Sequence, residues 1–258
     1  SPSLTADPTA LSGFATVFGS PSASQSFDLE GSNLTGGSGN ISVTAPANFE
    51  ISLNSGGPYS GSLNVPFSGG ALSTTTLYAR ISFPASLGAV SGTITCTGGS
   101  ASANVSVSGN VLEAQPTIQA TNVTITSITD NTFDLNWTPG NGSFRIVVVR
   151  QTTATNALPA DGTNYTASTI MGSGQTTGSG NYVVYNGSGT GPLTVTNLFP
   201  GTNYTVSVYE YNASVDGTDN YLTNSATGNP ASASTTGITN LLTQGYFTGI
   251  AVPQYMAS

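Results

Sequence analysis

The fold is decided by two stretches of sequence, Phe133-Asp134-Leu135-Asn136-Trp137 and Leu198-Phe199-Pro200-Gly201-Thr202-Asn203-Tyr204-Thr205-Val206-Ser207-Val208. In both, apolar side chains alternate with polar ones, as in Phe133, Leu135 and Trp137. Strict alternation is the period of a strand that buries one face. Pro200-Gly201 precedes the second run, and both residue types favour turns. The two stretches therefore predict two strands of a β-sandwich, the second entered through a turn.

The same alternation runs through the first 112 residues. The alternating sets are Phe27/Leu29, Ile41/Val43/Ala45, Phe49/Ile51/Leu53, Leu63/Val65, Leu77/Ala79/Ile81/Phe83, Ile94/Cys96 and Ala103/Val105/Val107. Turn-forming clusters such as Gly36-Gly37-Ser38-Gly39 separate these sets at the short spacing expected of a sandwich. Residues 1–112 are therefore predicted to form one β-sandwich.

The segment Glu113-Ala114-Gln115-Pro116 is the predicted linker, because its proline ends any strand that continues from the residues before it. A second alternating set follows it, and includes Val123/Ile125, the run 144–149 and Leu193/Val195. The expected organisation is all-β, with two tandem sandwiches at 1–112 and 117–237 and an apolar segment at 238–258.

The composition excludes much chemistry. The 258 residues include only 3 Lys and Arg, all of them arginine, against 11 Asp and Glu, and there is no histidine. Catalytic triads and histidine-ligated zinc are therefore excluded, and one cysteine cannot form a thiolate cluster. A net charge of −8 offers no basic patch for nucleic acid. No apolar stretch approaches the roughly 18 residues that a membrane-spanning helix needs.

The two opening stretches resemble a fibronectin type III domain. Trp137 matches the early core tryptophan of that family, and Leu198, Pro200, Gly201 and Tyr204 match the corner before its sixth strand. The resemblance implies structural roles for Trp137, Leu198 and Tyr204, with the tyrosine hydroxyl fixing the corner through upstream backbone. The insert between Arg150 and Leu193 is longer than is usual for the family.

Further phrases resemble modules of secreted Bacteroidota proteins. They are Pro159-Ala160-Asp161-Gly162-Thr163-Asn164-Tyr165 and Gly180-Asn181-Tyr182-Val183-Val184-Tyr185-Asn186-Gly187 in the second half, and Ala45-Pro46-Ala47-Asn48-Phe49-Glu50-Ile51-Ser52-Leu53 and Leu77-Tyr78-Ala79-Arg80-Ile81 in the first. The first half is similar to an immunoglobulin-like module that accompanies them. The resemblance implies stalks, spacers or adhesive surfaces at the cell exterior.

Candidate reactive groups are few. Any two of Glu30, Glu50, Glu113 and Glu210 could act as a glycosidase pair, but two small sandwiches leave little chain for a cleft. The expectation is that the protein is not an enzyme and needs no cofactor. Asp216 and Asp219 are a weak calcium candidate, although Asp-Gly at that place is ordinary turn chemistry.

An aromatic group could stack on sugar rings or meet a protein partner, or it could pack inside the sandwich. Its members are Tyr182, Tyr185, Tyr209, Tyr211 and Tyr221. By alternation, Tyr209 and Tyr211 face away from Val206 and Val208. Surface glycans are therefore one expected class of partner.

The last 21 residues are an assembly candidate. They have no charged side chain and carry the apolar residues Leu241, Leu242, Tyr246, Phe247, Ile250, Val252, Tyr255 and Met256. Such a segment is expected to be buried against this chain, a following domain or a neighbouring subunit. Two functions follow: a structural or adhesive cell-surface protein, including a non-covalent fibre subunit, or a spacer within a larger secreted enzyme or adhesin.

Overall fold

A computed structural model describes residues 1–237. All the regular elements in that range are β-strands: β1 Ser3–Asp7, β2 Ala10–Val17, β3 Gln25–Ser32, β4 Ser38–Thr44, β5 Phe49–Ser52, β6 Ser62–Ser68, β7 Leu72–Ile81, β8 Gly88–Gly98, β9 Ala101–Leu112, β10 Thr121–Thr126, β11 Phe133–Thr138, β12 Phe144–Gln151, β13 Thr176–Gly178, β14 Asn181–Gly187, β15 Leu193–Val195, β16 Asn203–Asn212, β17 Asn220–Tyr221 and β18 Ala231–Ser234. The prediction of an all-β fold is confirmed.

The first nine strands form two sheets. One has the order β1-β3-β7-β5, and the other has the order β2-β9-β8-β4-β6. All pairings are antiparallel except that of β2 with β9, which is parallel. Facing sheets of this kind make a sandwich with an immunoglobulin-like fold.

The core of the first unit follows the alternation of its strands. Phe27 and Leu29 are buried on β3, and Ile94 and Cys96 on β8. Two alternating positions do not follow the pattern: Leu53 is 43% exposed and Phe83 is 58% exposed. The alternation of side chains between two faces lasts only as long as the strand, and β5 ends at Ser52 while β7 ends at Ile81.

The strands from β10 onward contain a second pair of sheets. One has the order β10-β11-β15, and the other contains β13, β14, β12 and β16 in that order, with β18 also paired to β16. Their core includes Phe133, Leu135, Trp137, Val195, Leu198, Tyr204, Val206 and Val208.

Strand β12 is buried on both faces, because Ile146, Val147, Val148 and Val149 are all inaccessible. Strand β16 is likewise buried from Tyr204 to Tyr211. These strands are paired with each other in register from Phe144 opposite Tyr211 to Gln151 opposite Tyr204. Continuous rather than alternating burial is typical of strands covered on both sides.

The chain divides into two compact units that are not continuous in sequence. The first unit combines Ser1–Gln115 with Asp161–Asn164 and Asn212–Tyr221. Within it, the Glu113 amide donates to the Thr218 carbonyl at 3.0 Å, and Asn220 Nδ2 donates to the Glu113 carbonyl at 2.7 Å. The second unit contains Pro116–Ala160, Tyr165–Tyr211 and the described residues from Leu222 onward. The sandwich limits expected from the sequence, at residues 112 and 117, stay a prediction.

Cys96 is expected to be chemically inert in the folded protein. Its side chain is fully buried on β8, and burial raises the pKa of the thiol to about 11. The reactive thiolate is therefore scarce at neutral pH. A thiol-specific disulfide reagent should label no cysteine in native buffer and one per chain in concentrated guanidinium chloride. The variant Ser91→Cys, which adds an exposed thiol to the same strand, is the control and should label at once; rapid native labelling of the unaltered chain would contradict the prediction.

Candidate functional site

The corner before β16 is built around Tyr204. Its ring is fully buried, with its centroid 6.0 Å from that of Phe133 in an edge-on arrangement. Its hydroxyl accepts a hydrogen bond from the Phe199 amide at 2.9 Å. Leu198 lies buried beside it in the same core. A buried ring whose hydroxyl binds upstream backbone is the arrangement that the resemblance implies for Tyr204, and its role in fixing the corner stays a prediction.

Trp137 lies in the same core. Its ring centroid is 5.2 Å from that of Tyr185, a distance at which aromatic rings contact each other. The indole Nε1 is buried without a hydrogen-bond partner. The side chain therefore contributes by apolar packing, and it presents no donor to a ligand.

Glu210 is one member of a buried ion pair with Arg145. The two side chains are 0% and 4% exposed, and Arg145 Nε lies 2.9 Å from Glu210 Oε1. The carboxylate also accepts from the amides of Gly140 at 3.0 Å and Gly142 at 3.1 Å. Arg145 donates to the carbonyls of Gly142, Ser188 and Gly189. Every oxygen of the carboxylate is thus engaged by the protein itself.

The other two arginines are also engaged internally. Arg80 Nε lies 2.6 Å from Glu50 Oε1, and its guanidinium lies 3.8 Å from the centre of the Tyr59 ring. Arg150 donates to the carbonyls of Thr152 and Ala154. The two glutamates with arginine partners, Glu50 and Glu210, bind different arginines, so these two do not form a paired acid-base centre.

Most of the candidate aromatic group is buried. Tyr209, Tyr211 and Tyr221 are inaccessible, while Tyr182 and Tyr185 are half-buried. Tyr211 stacks on Phe144 at 5.5 Å, and its hydroxyl donates to Asn186 Oδ1 at 2.6 Å. Asn186 also donates to the carbonyl of Tyr165, so part of the long insert lies beside Tyr211. The group therefore does not form a continuous exposed platform.

A groove of about 410 Å³ lies beside the Tyr204 corner. It is lined by Met171, Tyr182, Asn197, Phe199 and Tyr204, together with glycines and Gln151. Phe199 is 64% exposed, so an aromatic face at this groove meets solvent. The sequence resemblance identified the corner but gave no sign of this groove, because Met171 and Tyr182 come from the insert.

The calcium candidate lies in the first unit. Residues 215–218 form a turn in which the Thr218 hydroxyl donates to the Val215 carbonyl at 2.7 Å. Asp216 is exposed, whereas Asp219 is buried. Burial raises the pKa of Asp219, and the negative charge of Asp216 raises it further. Across residues 1–237, no three Cys, Asp or Glu side chains are grouped so that they could hold a metal ion.

The assembly candidates of the C-terminal segment lie outside the described residues. They are Leu241, Leu242, Tyr246, Phe247, Ile250, Val252 and Tyr255. Within residues 1–237 there is no helix with the length and apolar character needed to cross a membrane.

The chain is similar to several solved structures of modular proteins. The FN1–FN3 domains of chicken CNTN1 share 10% identity over 89% of this chain and 68% of that one, with a TM-score of 0.37. A two-domain fibronectin type III segment of chicken tenascin shares 10% identity over 78% and 94%, with a TM-score of 0.27. Domains A168–A170 of titin share 13% identity over 77% and 55%, with a TM-score of 0.30.

The family comparison is more specific. No curated protein matches the chain. The sequence model of the fibronectin type III domain matches residues 114–221. That range contains Trp137, the Leu198 to Tyr204 corner and the Arg145–Glu210 pair. The chain therefore contains a fibronectin type III domain at residues 114–221.

Proposed function

We propose that this chain is a non-catalytic structural part of an extracellular protein of the cell surface. Fibronectin type III domains are typically non-catalytic modules that take part in protein interactions, and they are typical of extracellular proteins. A structural or spacer module fits the fold. The resemblance to modules of secreted Bacteroidota proteins supports an exported chain, as does a composition in which 74 serines and threonines replace most charged residues.

The observation that carries the proposal is that all three arginine side chains bind groups of the protein itself. The chain has three arginines and no lysine. Arg80 and Arg145 each pair with a glutamate, and Arg150 binds backbone carbonyls. A site that stabilises developing negative charge needs a donor directed at the substrate. These three guanidinium groups are directed at the protein instead.

The apolar segment 238–258 is proposed to mediate assembly. It lacks charge, and a free apolar segment in water is unfavourable. The residues just before it are fixed at the Tyr204 corner, because the Thr236 carbonyl accepts from the Gly201 amide at 3.0 Å and the Thr235 hydroxyl donates to the Phe199 carbonyl at 2.6 Å. A strand added to a sheet edge of a neighbouring subunit would give a non-covalent fibre.

Deleting residues 238–258 tests this assembly. The full chain should form oligomers by light scattering, whereas the deletion variant should be monomeric with the same melting temperature, because the segment is proposed to bind a neighbour. A full-length variant with Leu241→Ser, Tyr246→Ser and Phe247→Ser is the matched control and should behave like the deletion. If the full chain and the deletion are equally monomeric and equally stable, the segment is a linker and the fibre proposal fails.

A spacer within a larger secreted enzyme or adhesin is the second candidate, and the match of residues 114–221 to a common module favours it. The length of the native polypeptide, measured by mass spectrometry of secreted material, distinguishes the spacer from the subunit. A mature chain that ends near residue 258 supports the subunit, and a much longer chain supports the spacer. Carbohydrate binding is a third candidate, supported only by the exposed Phe199 beside Tyr182 in the groove.

A further inference from the structure

The carboxylate of Asp219 is buried without a partner. The residue is 1% exposed, and neither Oδ1 nor Oδ2 has a hydrogen-bond partner. A buried ionised carboxylate is unfavourable unless it is paired, hydrogen-bonded or bound to a metal ion. Glu210, by contrast, is equally buried and has partners on both oxygens. Asp219 therefore requires either a proton or a cation that the protein does not supply.

A second unpartnered oxygen lies on β9, beside the same turn. Asn110 Nδ2 donates to the Gly217 carbonyl at 2.6 Å, while Asn110 Oδ1 is buried and has no partner. Gly162 lies close to both Asp219 and Asn110. Its amide donates to the Asp219 carbonyl at 2.7 Å, and a Cβ on it would lie 2.9 Å from Asn110 Nδ2. Residues 110, 161–164 and 216–219 all belong to the first unit.

The charge around Asp219 is not balanced by the chain. The only cationic side chains are the three arginines, and each is bound elsewhere. Asp216, three residues earlier in the same turn, is exposed and adds negative charge instead of a counter-charge. A divalent cation would supply the positive charge that this part of the chain lacks.

We propose that Asp219, Asp216 and Asn110 Oδ1 bind a calcium ion in the first unit. Carboxylate and amide oxygens are the ligands of a hard cation, and calcium accepts six to eight of them in irregular geometry. These three side chains offer up to five oxygens, and water completes the shell. Magnesium demands a near-ideal octahedron and is the weaker match for ligands from a short turn and a neighbouring strand. Modules outside the cell commonly bind calcium with dissociation constants of about 0.1–1 mM.

Thermal unfolding with and without calcium tests the site. Adding 10 mM calcium chloride, roughly 10 to 100 times such a dissociation constant, should raise the melting temperature of the first unit by about 5–10 °C. Asp219→Asn should abolish the rise, and Asp216→Asn should weaken calcium binding by at least about tenfold, the effect of losing a ligand charge. Asp28→Asn, which changes an exposed aspartate on β3 of the same unit, should keep the full response.

A direct measurement keeps the test independent of the folding of the variants. Terbium luminescence of the unaltered chain should appear on titration and should be displaced by calcium at lower concentration than by magnesium. If 10 mM calcium leaves the melting temperature unchanged and terbium does not bind, the site is wrong. A rise in the melting temperature of Asp219→Asn in calcium-free buffer, together with those negative results, would identify Asp219 as a buried neutral acid.

Discussion

Replacing Glu210 with glutamine is expected to lower the free energy of unfolding of the second unit by about 3–5 kcal/mol. Glutamine keeps the shape of the side chain but removes its charge. Arg145, 4% exposed, then remains as a buried cation without a counter-charge. The amide can accept at one oxygen only, so the amides of Gly140 and Gly142 cannot both keep their acceptor.

Urea unfolding followed by the fluorescence of Trp137 measures this loss, because the chain has one tryptophan and it lies in the core of the second unit. Glu50→Gln is the matched control, followed by circular dichroism. Its partner Arg80 is 28% exposed, and such pairs contribute about 0–1 kcal/mol. A loss below about 1 kcal/mol for Glu210→Gln, within the range of exposed pairs, would contradict the prediction.

The double variant Arg145→Met with Glu210→Leu tests the network further. Replacing a buried ion pair by apolar residues is often neutral, because two desolvated charges disappear together. Recovery is not expected here. The pair also satisfies two backbone amides and three backbone carbonyls, and these groups would lose their partners at the half-buried end of the strands.

Truncating Tyr204 to alanine is expected to destabilise the second unit by about 3–5 kcal/mol, whereas Tyr204→Phe should lose only about 1–2 kcal/mol. The first change removes a fully buried ring and its edge-on contact with Phe133. The second removes only the hydroxyl that accepts from the Phe199 amide. The loss in Tyr204→Phe measures the contribution of the hydroxyl at the corner. The additional loss in Tyr204→Ala measures the contribution of the ring to core packing.

Urea unfolding with Trp137 fluorescence also measures these variants. Tyr182→Phe is the control for loss of a hydroxyl, because Tyr182 is half-buried at the groove, and its midpoint should stay unchanged. If Tyr204→Phe is as stable as the unaltered chain, the hydroxyl does not hold the corner. The ring would then account for the whole role of this residue.

Local features of the sequence predicted the sandwiches well. Alternation is set by the geometry of one strand, so Phe133, Leu135 and Trp137 could be assigned to a core without knowing their neighbours. The same rule failed for Leu53 and Phe83, which lie beyond the ends of their strands. Strand ends depend on pairing partners elsewhere in the chain, and alternation contains no such information.

The candidate sites depended on contacts between distant residues. The sequence offers Glu210 as a candidate catalytic acid, because its neighbours in the sequence do not reveal its ion-pair partner Arg145, which is 65 residues away. The sequence contains one hint: Glu210 is the only charged residue of its strand, and Arg145 has the opposite charge on another largely apolar strand. Alternation predicts that Tyr209 and Tyr211 face away from Val206 and Val208. Both are nevertheless buried, because β16 is buried on both faces, and alternation cannot predict that second layer of contacts.

The interleaved segments of the two units restrict how this protein can be cut or recombined. The chain passes from one unit to the other at 115/116, 160/161, 164/165, 211/212 and 221/222. A fragment that ends at residue 115 lacks Asp161–Asn164 and Asn212–Tyr221, and with them the partners of Glu113 and Asn110. Neither unit corresponds to one uninterrupted stretch of gene. A single cut in the gene therefore cannot yield both units whole, whichever of these positions it uses.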